Sequence, residues 1–155
     1  MFAAMHYEHL IQINDPDDPS IAPLSRAQLW RGLVRRAENP GEFLPGLDAM
    51  QVRRRGDDFL ERELYFGARV IQDRITFSEP HSLHCAVEPG PEFPASGLVI
   101  RIEEPRPGHL FLRFVYDSVL TDGAEYESVV KQAWFQADLD TVGHIRGLAS
   151  RGLLD

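Results

Sequence analysis

The most pointed chemical suggestion in the chain is a pair of charges in an otherwise well-patterned hairpin, FLERELYFGARVIQDRITF, residues 59–77. Gly67-Ala68 suits a two-residue turn with glycine at the position that needs positive φ. If Phe66 faces Arg69 across that turn, Leu64 meets Ile71, Arg62 meets Asp73 and Leu60 meets Ile75 on one face. The opposite face then pairs Tyr65 with Val70, Glu63 with Gln72 and Glu61 with Arg74, the composition of a wet surface. Arg62 and Asp73 are therefore expected to point inward and meet. Buried charges cost several kcal/mol each to desolvate, so their presence on an apolar face asks for a reason. One reason is a polar anchor, offering a guanidinium to a ligand or a carboxylate able to move protons. The other is a self-contained structural salt bridge, since an arginine already paired has fewer donors left for a guest.

Further candidates lie on neighbouring segments. In HLFLRFVYDSVL, residues 109–120, the set Leu110, Leu112, Phe114 and Tyr116 is the more apolar face and is placed inward, which offers the Tyr116 hydroxyl to the interior. A five-residue turn at 104–108 keeps Ile102, Ile100 and Leu98 opposite that set, whereas a four-residue turn reverses the face. Six histidines invite a metal hypothesis, but His81 and His84, like His6 and His9, stand three apart on strands and so face opposite sides. No metal site is expected, and His9 and His84 remain candidates for polar groups in a cavity. Cys85, inward by alternation with Leu83 and Val87, reads as core. Neither a glycine-rich phosphate loop nor a strand-turn-helix serine elbow is present, and no cofactor is expected.

Positioning these groups falls to a legible series of elements. HYEHLIQIN, residues 6–14, is a strand whose Tyr7, His9, Ile11 and Ile13 share a face. Three prolines keep the following stretch a loop until Leu24. Ser25 and Gln28 have the spacing of a capping box, and the helix they start buries Trp30, Leu33, Val34 and Ala37, with Arg31, Arg35, Arg36 and Glu38 mostly on the other side. Asn39 is expected to cap a second, one-turn helix with Pro40 first and Glu42 completing another box, leaving Phe43 and Leu44 as an apolar plug. Six strands follow, at roughly 48–55, 58–66, 69–78, 82–88, 97–104 and 109–119, joined by turns short enough for an antiparallel meander. From a third capping box at Asp122 and Glu125 to about Ser150 runs one long helix, whose stripe is read as Tyr126, Val130, Ala133, Ala137, Thr141, Ile145 and Leu148. Ala133 and Ala137 either bring helix and sheet close together or leave room for a guest.

The totals bound the function. The 155 residues, 43% apolar and 26% charged, suit a single domain over 1–155. A net charge of −8 disfavours a phosphate backbone, so no nucleic acid partner is expected, and the cluster Arg53-Arg54-Arg55 reads as solvated charge on a strand. No apolar run approaches the roughly 20 residues of a membrane span. The N-terminal MFAAM lacks the basic start of a signal peptide, and the single cysteine forms no internal disulfide, so the expected compartment is the cytoplasm.

The order β, α, α, six β, long α resembles the helix-grip fold of the START and birch-pollen-allergen superfamily, also called SRPBCC. More narrowly, YEHLIQINDP followed by LSRAQLWRGLVRRAENPGEFLPGLD resembles the AtaL-like branch. The resemblance implies an α+β protein with a curved seven-stranded antiparallel sheet around a long C-terminal helix and a cavity between them. It implies a small hydrophobic molecule as partner, carried, sensed, or cyclised or dehydrated as polyketide-like substrates are, and it carries over no universal catalytic residue. Cavity candidates are Arg62, Asp73, Tyr116, His9, His84, Trp30, Phe114, Ala133 and Ala137. A carrier or sensor would use Arg62 or Tyr116 to orient its guest, and a cyclase or dehydratase would use Asp73, His9 or His84 as acid or base. A third reading is a protein-interaction module with an exposed plug at Phe43 and Leu44. Oligomeric state is not legible.

Overall fold

The structure, a computed structural model, describes residues 3–90, 94–120 and 124–155. In chain order it contains β1 (Ala3–Gln12), α1 (Arg26–Glu38), a 3-10 turn (Pro40–Glu42), β2 (Ala49–Arg55), β3 (Phe59–Phe66), β4 (Arg69–Ser78), β5 (Ser82–Val87), β6 (Ser96–Arg106), β7 (His109–Leu120) and α2 (Ala124–Ser150). The strands form one seven-stranded sheet in the order β1-β7-β6-β5-β4-β3-β2, every neighbouring pair antiparallel. The meander from β2 to β7 follows from the short turns, and β1 joins by pairing with β7. This is the α+β helix-grip arrangement that the element order implied.

Local chemistry sets the first helix. Ser25 Oγ accepts from the Gln28 amide at 3.0 Å while Gln28 Oε1 accepts from the Ser25 amide at 2.9 Å, the reciprocal box the spacing predicts. At the other end the expectation fails in part. Asn39 makes no side-chain cap, and the segment after it is a single 3-10 turn. Glu42 does not complete a box, because its carboxylate is taken by Arg35 Nε and Nη2 at 2.9 Å each and by His144 Nε2 at 3.1 Å. The plug is not exposed either. Phe43 is 8% exposed and lies edge-on to the His144 ring, centroids 4.6 Å apart, so it seals α2 against the turn and offers no surface to a partner.

The hairpin register is the expected one, with Arg62 opposite Asp73 and Phe66 opposite Arg69, and Gly67 takes the positive φ of 60° at the turn. The β6–β7 hairpin reaches its expected facing by a different route. Its turn sets Arg106 opposite His109, and left alone that register would place Leu112 opposite Glu103. A shift between Glu103 and Arg106 restores Ile102 to Leu112, Ile100 to Phe114 and Leu98 to Tyr116, so the apolar set of β7 faces inward after all.

Two close contacts hold the helices. Gly32 of α1 meets Ile145 of α2 where a Cβ would stand 2.7 Å from Ile145 Cγ2, so only glycine lets the axes approach this far. The loop between β1 and α1 is pinned by the buried Asn14, whose side chain accepts from the Leu24 amide at 2.9 Å and donates to the Leu24 carbonyl at 2.7 Å. Arg146 of α2 donates to the Ile13 and Ala22 carbonyls. The arginine cluster on β2 is spent on carboxylates: Arg53 on Glu88 at 2.9 Å, Arg54 on Glu61 at 3.3 Å and Arg55 on Glu38 at 3.1 Å.

The buried stripe of α2 departs from its expected course. Thr141, Val142, Ile145 and Leu148 are buried, but towards the N-terminus burial continues through Asp138 and the half-buried Trp134, while Ala133, Ala137 and Tyr126 are exposed. From Thr141 a helical stripe can step back by four residues or by three, and the indole of Trp134 selects the second course. The expected cap at Asp122 lies outside the described residues. Among the described residues no helix is long and apolar enough to cross a membrane.

Candidate ligand-binding recess

Arg62 and Asp73 do meet, in the closed manner of a structural pair. Arg62 Nε and Nη2 donate to Asp73 Oδ1 and Oδ2 at 2.9 and 2.6 Å, and Nη1 donates to the Ala37 carbonyl at the end of α1 at 2.8 Å. Arg62 is 4% exposed and Asp73 1%. With all three nitrogens engaged, the guanidinium fastens β3 and β4 to α1 and has little left to offer a guest. The Cys85 thiol lies 3.3 Å from Asp73 Oδ2. Burial, followed by the Asp73 charge, pushes that thiol up to about 12, so it is no nucleophile at neutral pH.

A second polar cluster sits between α2 and the β1–β7 flank of the sheet. Tyr116 donates its hydroxyl to Asp138, 2.9 Å from Oδ1 and 2.8 Å from Oδ2, and His9 Nε2 stands 2.6 Å from Oδ2. Aromatic rings enclose these groups: Tyr116 stacks on Trp134 with centroids 4.2 Å apart, His9 stacks on Phe114 at 5.1 Å, and Phe135 meets His9 edge-on at 5.2 Å. Burial raises the Asp138 carboxyl, against the hydrogen bonds from Tyr116 and His9 that favour its charge. Burial and then the charge of Asp138 raise the Tyr116 phenol, which stays a donor at neutral pH. With Nε2 donating to Asp138, Nδ1 carries the lone pair, and that atom is buried without a hydrogen-bond partner among the described residues.

Between the two clusters the inner face is incompletely covered. β5 is the middle strand of the sheet, and Cys85 points inward from it, opposite Ile75 of β4 and Leu98 of β6. Cys85 and Leu98 nevertheless keep part of their surface accessible, as do Tyr7 and Trp134, whereas Ile11, Leu112, Ile102, Ile100 and Leu83 towards the other end of the same face are buried. A side chain on the inner face of the middle strand that still keeps accessible surface lines a hollow. The reason is the placement of α2, which packs on β1, β7 and α1, to one side of the middle strand.

The candidate residues divide accordingly. His9, Tyr116 and Phe114 converge beside this recess. Trp30 is buried edge-on to Phe77 at 6.2 Å, in the packed core. His84 is exposed on the outer face between Thr76 and Val99, since the alternation that turns Cys85 inward turns its neighbour outward. Ala133 and Ala137 face away from the sheet, as the course of the α2 stripe requires. Three residues near the recess escaped the sequence reading: Asp138, Trp134 and Arg36. Trp134 was the available signal for the first two, because the largest apolar side chain of the helix fixes its inward face.

Residues 11–152 match the family described as AtaL, acetylaranotin biosynthesis cluster protein L. The chain belongs to the AtaL family. No curated protein sequence matches it. Solved structures share its fold: the ZhuI aromatase/cyclase from Streptomyces sp. R1128, at 14% identity and a TM-score of 0.66, covering 95% of this chain and 96% of that one; Ara h 8.0201, at 13% identity and 0.65, covering 94% and 99%; and the di-domain ARO/CYC StfQ from the steffimycin biosynthetic pathway, at 7% identity and 0.69, covering 96% and 52%. At such identities the likeness is one of fold: this AtaL-family chain has the helix-grip fold of those structures.

Proposed function

We propose that this AtaL-family chain binds a small, largely apolar molecule in the recess between α2 and the middle strands. The observation that carries the reading is Cys85, an inward residue of the central strand that α2 leaves accessible. Apolar side chains at Leu98 and Trp134 supply the dispersion and desolvation that hold such a guest, and the Asp138 cluster supplies orientation. The family's description, tied to a biosynthesis cluster, and fold neighbours described as aromatase/cyclases support a metabolite as the guest. Native mass spectrometry of freshly purified protein, with melting curves in the presence of apolar probes, tests the reading. A retained guest or a raised melting temperature is expected. The absence of both a retained mass and a melting shift would remove its support.

The 2.6 Å contact between His9 and Asp138 favours a second reading, a cyclase- or dehydratase-like enzyme. In that reading His9 Nδ1 takes a proton from carbon beside a carbonyl of the guest, Asp138 steadies the resulting imidazolium through Nε2, and Tyr116 keeps Asp138 in place. Asp73, tied to Arg62, and His84, on the outer face, are not available for that work. Incubating the guest identified above with the protein and with a His9→Ala variant discriminates the two readings. Product formation that His9→Ala abolishes supports the enzyme, and an unaltered guest in both supports a carrier.

A further inference from the structure

Two arginines turn towards the interior, Arg62 from β3 and Arg36 from the last turn of α1, and they differ in one respect. Every nitrogen of Arg62 has an acceptor. Among the described residues Arg36 makes no hydrogen bond or ion pair, although its Nε is buried. Its place in the sequence accounts for the position. Arg36 follows Leu29, Gly32 and Leu33, all buried, at the spacing of one and two helical turns, so its side chain leaves α1 from the middle of the buried face. Its charge is felt on β5, β7 and α2 alike: burial raises the Cys85 thiol, the Tyr116 phenol and the Asp138 carboxyl, and Arg36 opposes all three. The helical spacing and the buried Nε turn the guanidinium inward, towards the inner face that these elements share.

A partly buried cation without a partner is poorly explained by stability, because desolvation without an ion pair only costs. The buried carboxylates among the described residues are otherwise occupied, Asp73 by Arg62 and Asp138 by Tyr116 and His9. We infer that the recess takes an acid: a single carboxylate on a largely apolar body, its two oxygens on the Arg36 guanidinium and its body along Cys85, Leu98 and Trp134. This rests on the binding reading above and adds the chemical class of the guest. The planar fork of a guanidinium matches a carboxylate, and one cation balances one negative charge. A neutral guest would leave Arg36 unpaired.

Isothermal titration of 2-naphthoate against 2-naphthamide, and of decanoate against decanamide, separates charge from shape. The wild-type protein is expected to bind at least one acid roughly tenfold or more tightly than its amide, a preference within the strength of a charge-assisted pair. Arg36→Met should bring the acid to the affinity of the amide, Arg36→Gln should do the same, and Arg36→Lys should keep part of the preference. Arg36→Met should also raise the melting temperature of the ligand-free protein, which a merely structural role for Arg36 would not do. Equal affinities of acid and amide in the wild type, or a preference that survives Arg36→Met and Arg36→Gln, overturn the acid assignment and leave the recess standing. If none of the four probes binds the wild type, both the assignment and the binding reading fall.

Discussion

Tyr116 gives its one proton to a carboxylate that is 1% exposed, and that bond favours the charged form of Asp138 against burial. Removing the hydroxyl leaves a buried acceptor short of a donor, so Tyr116→Phe should lower stability by about 1–3 kcal/mol in urea titrations. Burial dominates at Asp138 and lifts its carboxyl above the ordinary range. Between the ordinary and the raised value the folded chain holds a proton that the unfolded chain has lost, so this residue's contribution to stability falls as pH rises. Asp138→Asn should therefore gain on the wild type in urea midpoint as pH climbs from about 4 to about 7, and a shrinking difference would contradict the assignment. Arg62 and Asp73 are a different case, a pair closed on itself. Asp73→Asn should cost about 3–5 kcal/mol by leaving a buried guanidinium half-paired, and its effect should appear in the unfolding curve more than in any property of the recess.

At the scale of elements, the crossing of α1 and α2 rests on Gly32. A methyl group there collides with the base of a β-branched side chain, Ile145, at 2.7 Å, and neither helix has slack to yield. Gly32→Ala gains up to about 1 kcal/mol in helix propensity and loses about 1–3 kcal/mol to overpacking, so the net change should be destabilising. Ile145→Ala in the same chain should recover part of the loss, and a double-mutant cycle measures the coupling; strictly additive effects would show that the helices do not touch there. The strands teach a related lesson. The β3–β4 register was readable because a two-residue turn fixes every later pair. The β6–β7 register needed a shift between Glu103 and Arg106 to bring the same face inward.

The whole molecule gains its recess from a mismatch between a wide sheet and a single helix seated to one side of its middle. Filling that space should stabilise the fold without altering it. A guest at a hundred times its Kd should add about 2.7 kcal/mol, visible as a raised melting temperature. Trp134, half-buried and stacked on Tyr116, should report the same event by a change in fluorescence that a Trp134→Phe variant loses. A probe that raises the melting temperature while leaving the Trp134 signal untouched would point to a site elsewhere on the surface.

The sequence by itself determined the elements, their order, the capping box at Ser25, the pairing of Arg62 with Asp73 and the inward face of β7, because each depends on neighbours a few residues apart or joined by a short turn. It did not determine which of two helical courses α2 buries, nor that Arg36, written among charged neighbours on a surface-like helix, is turned inward. Those were settled only when α1, α2 and the sheet were brought together, since a helix has no inside until another element supplies one. Asp138, Tyr116 and His9 lie on three elements far apart in the chain, and contacts of that kind leave no local spacing to read.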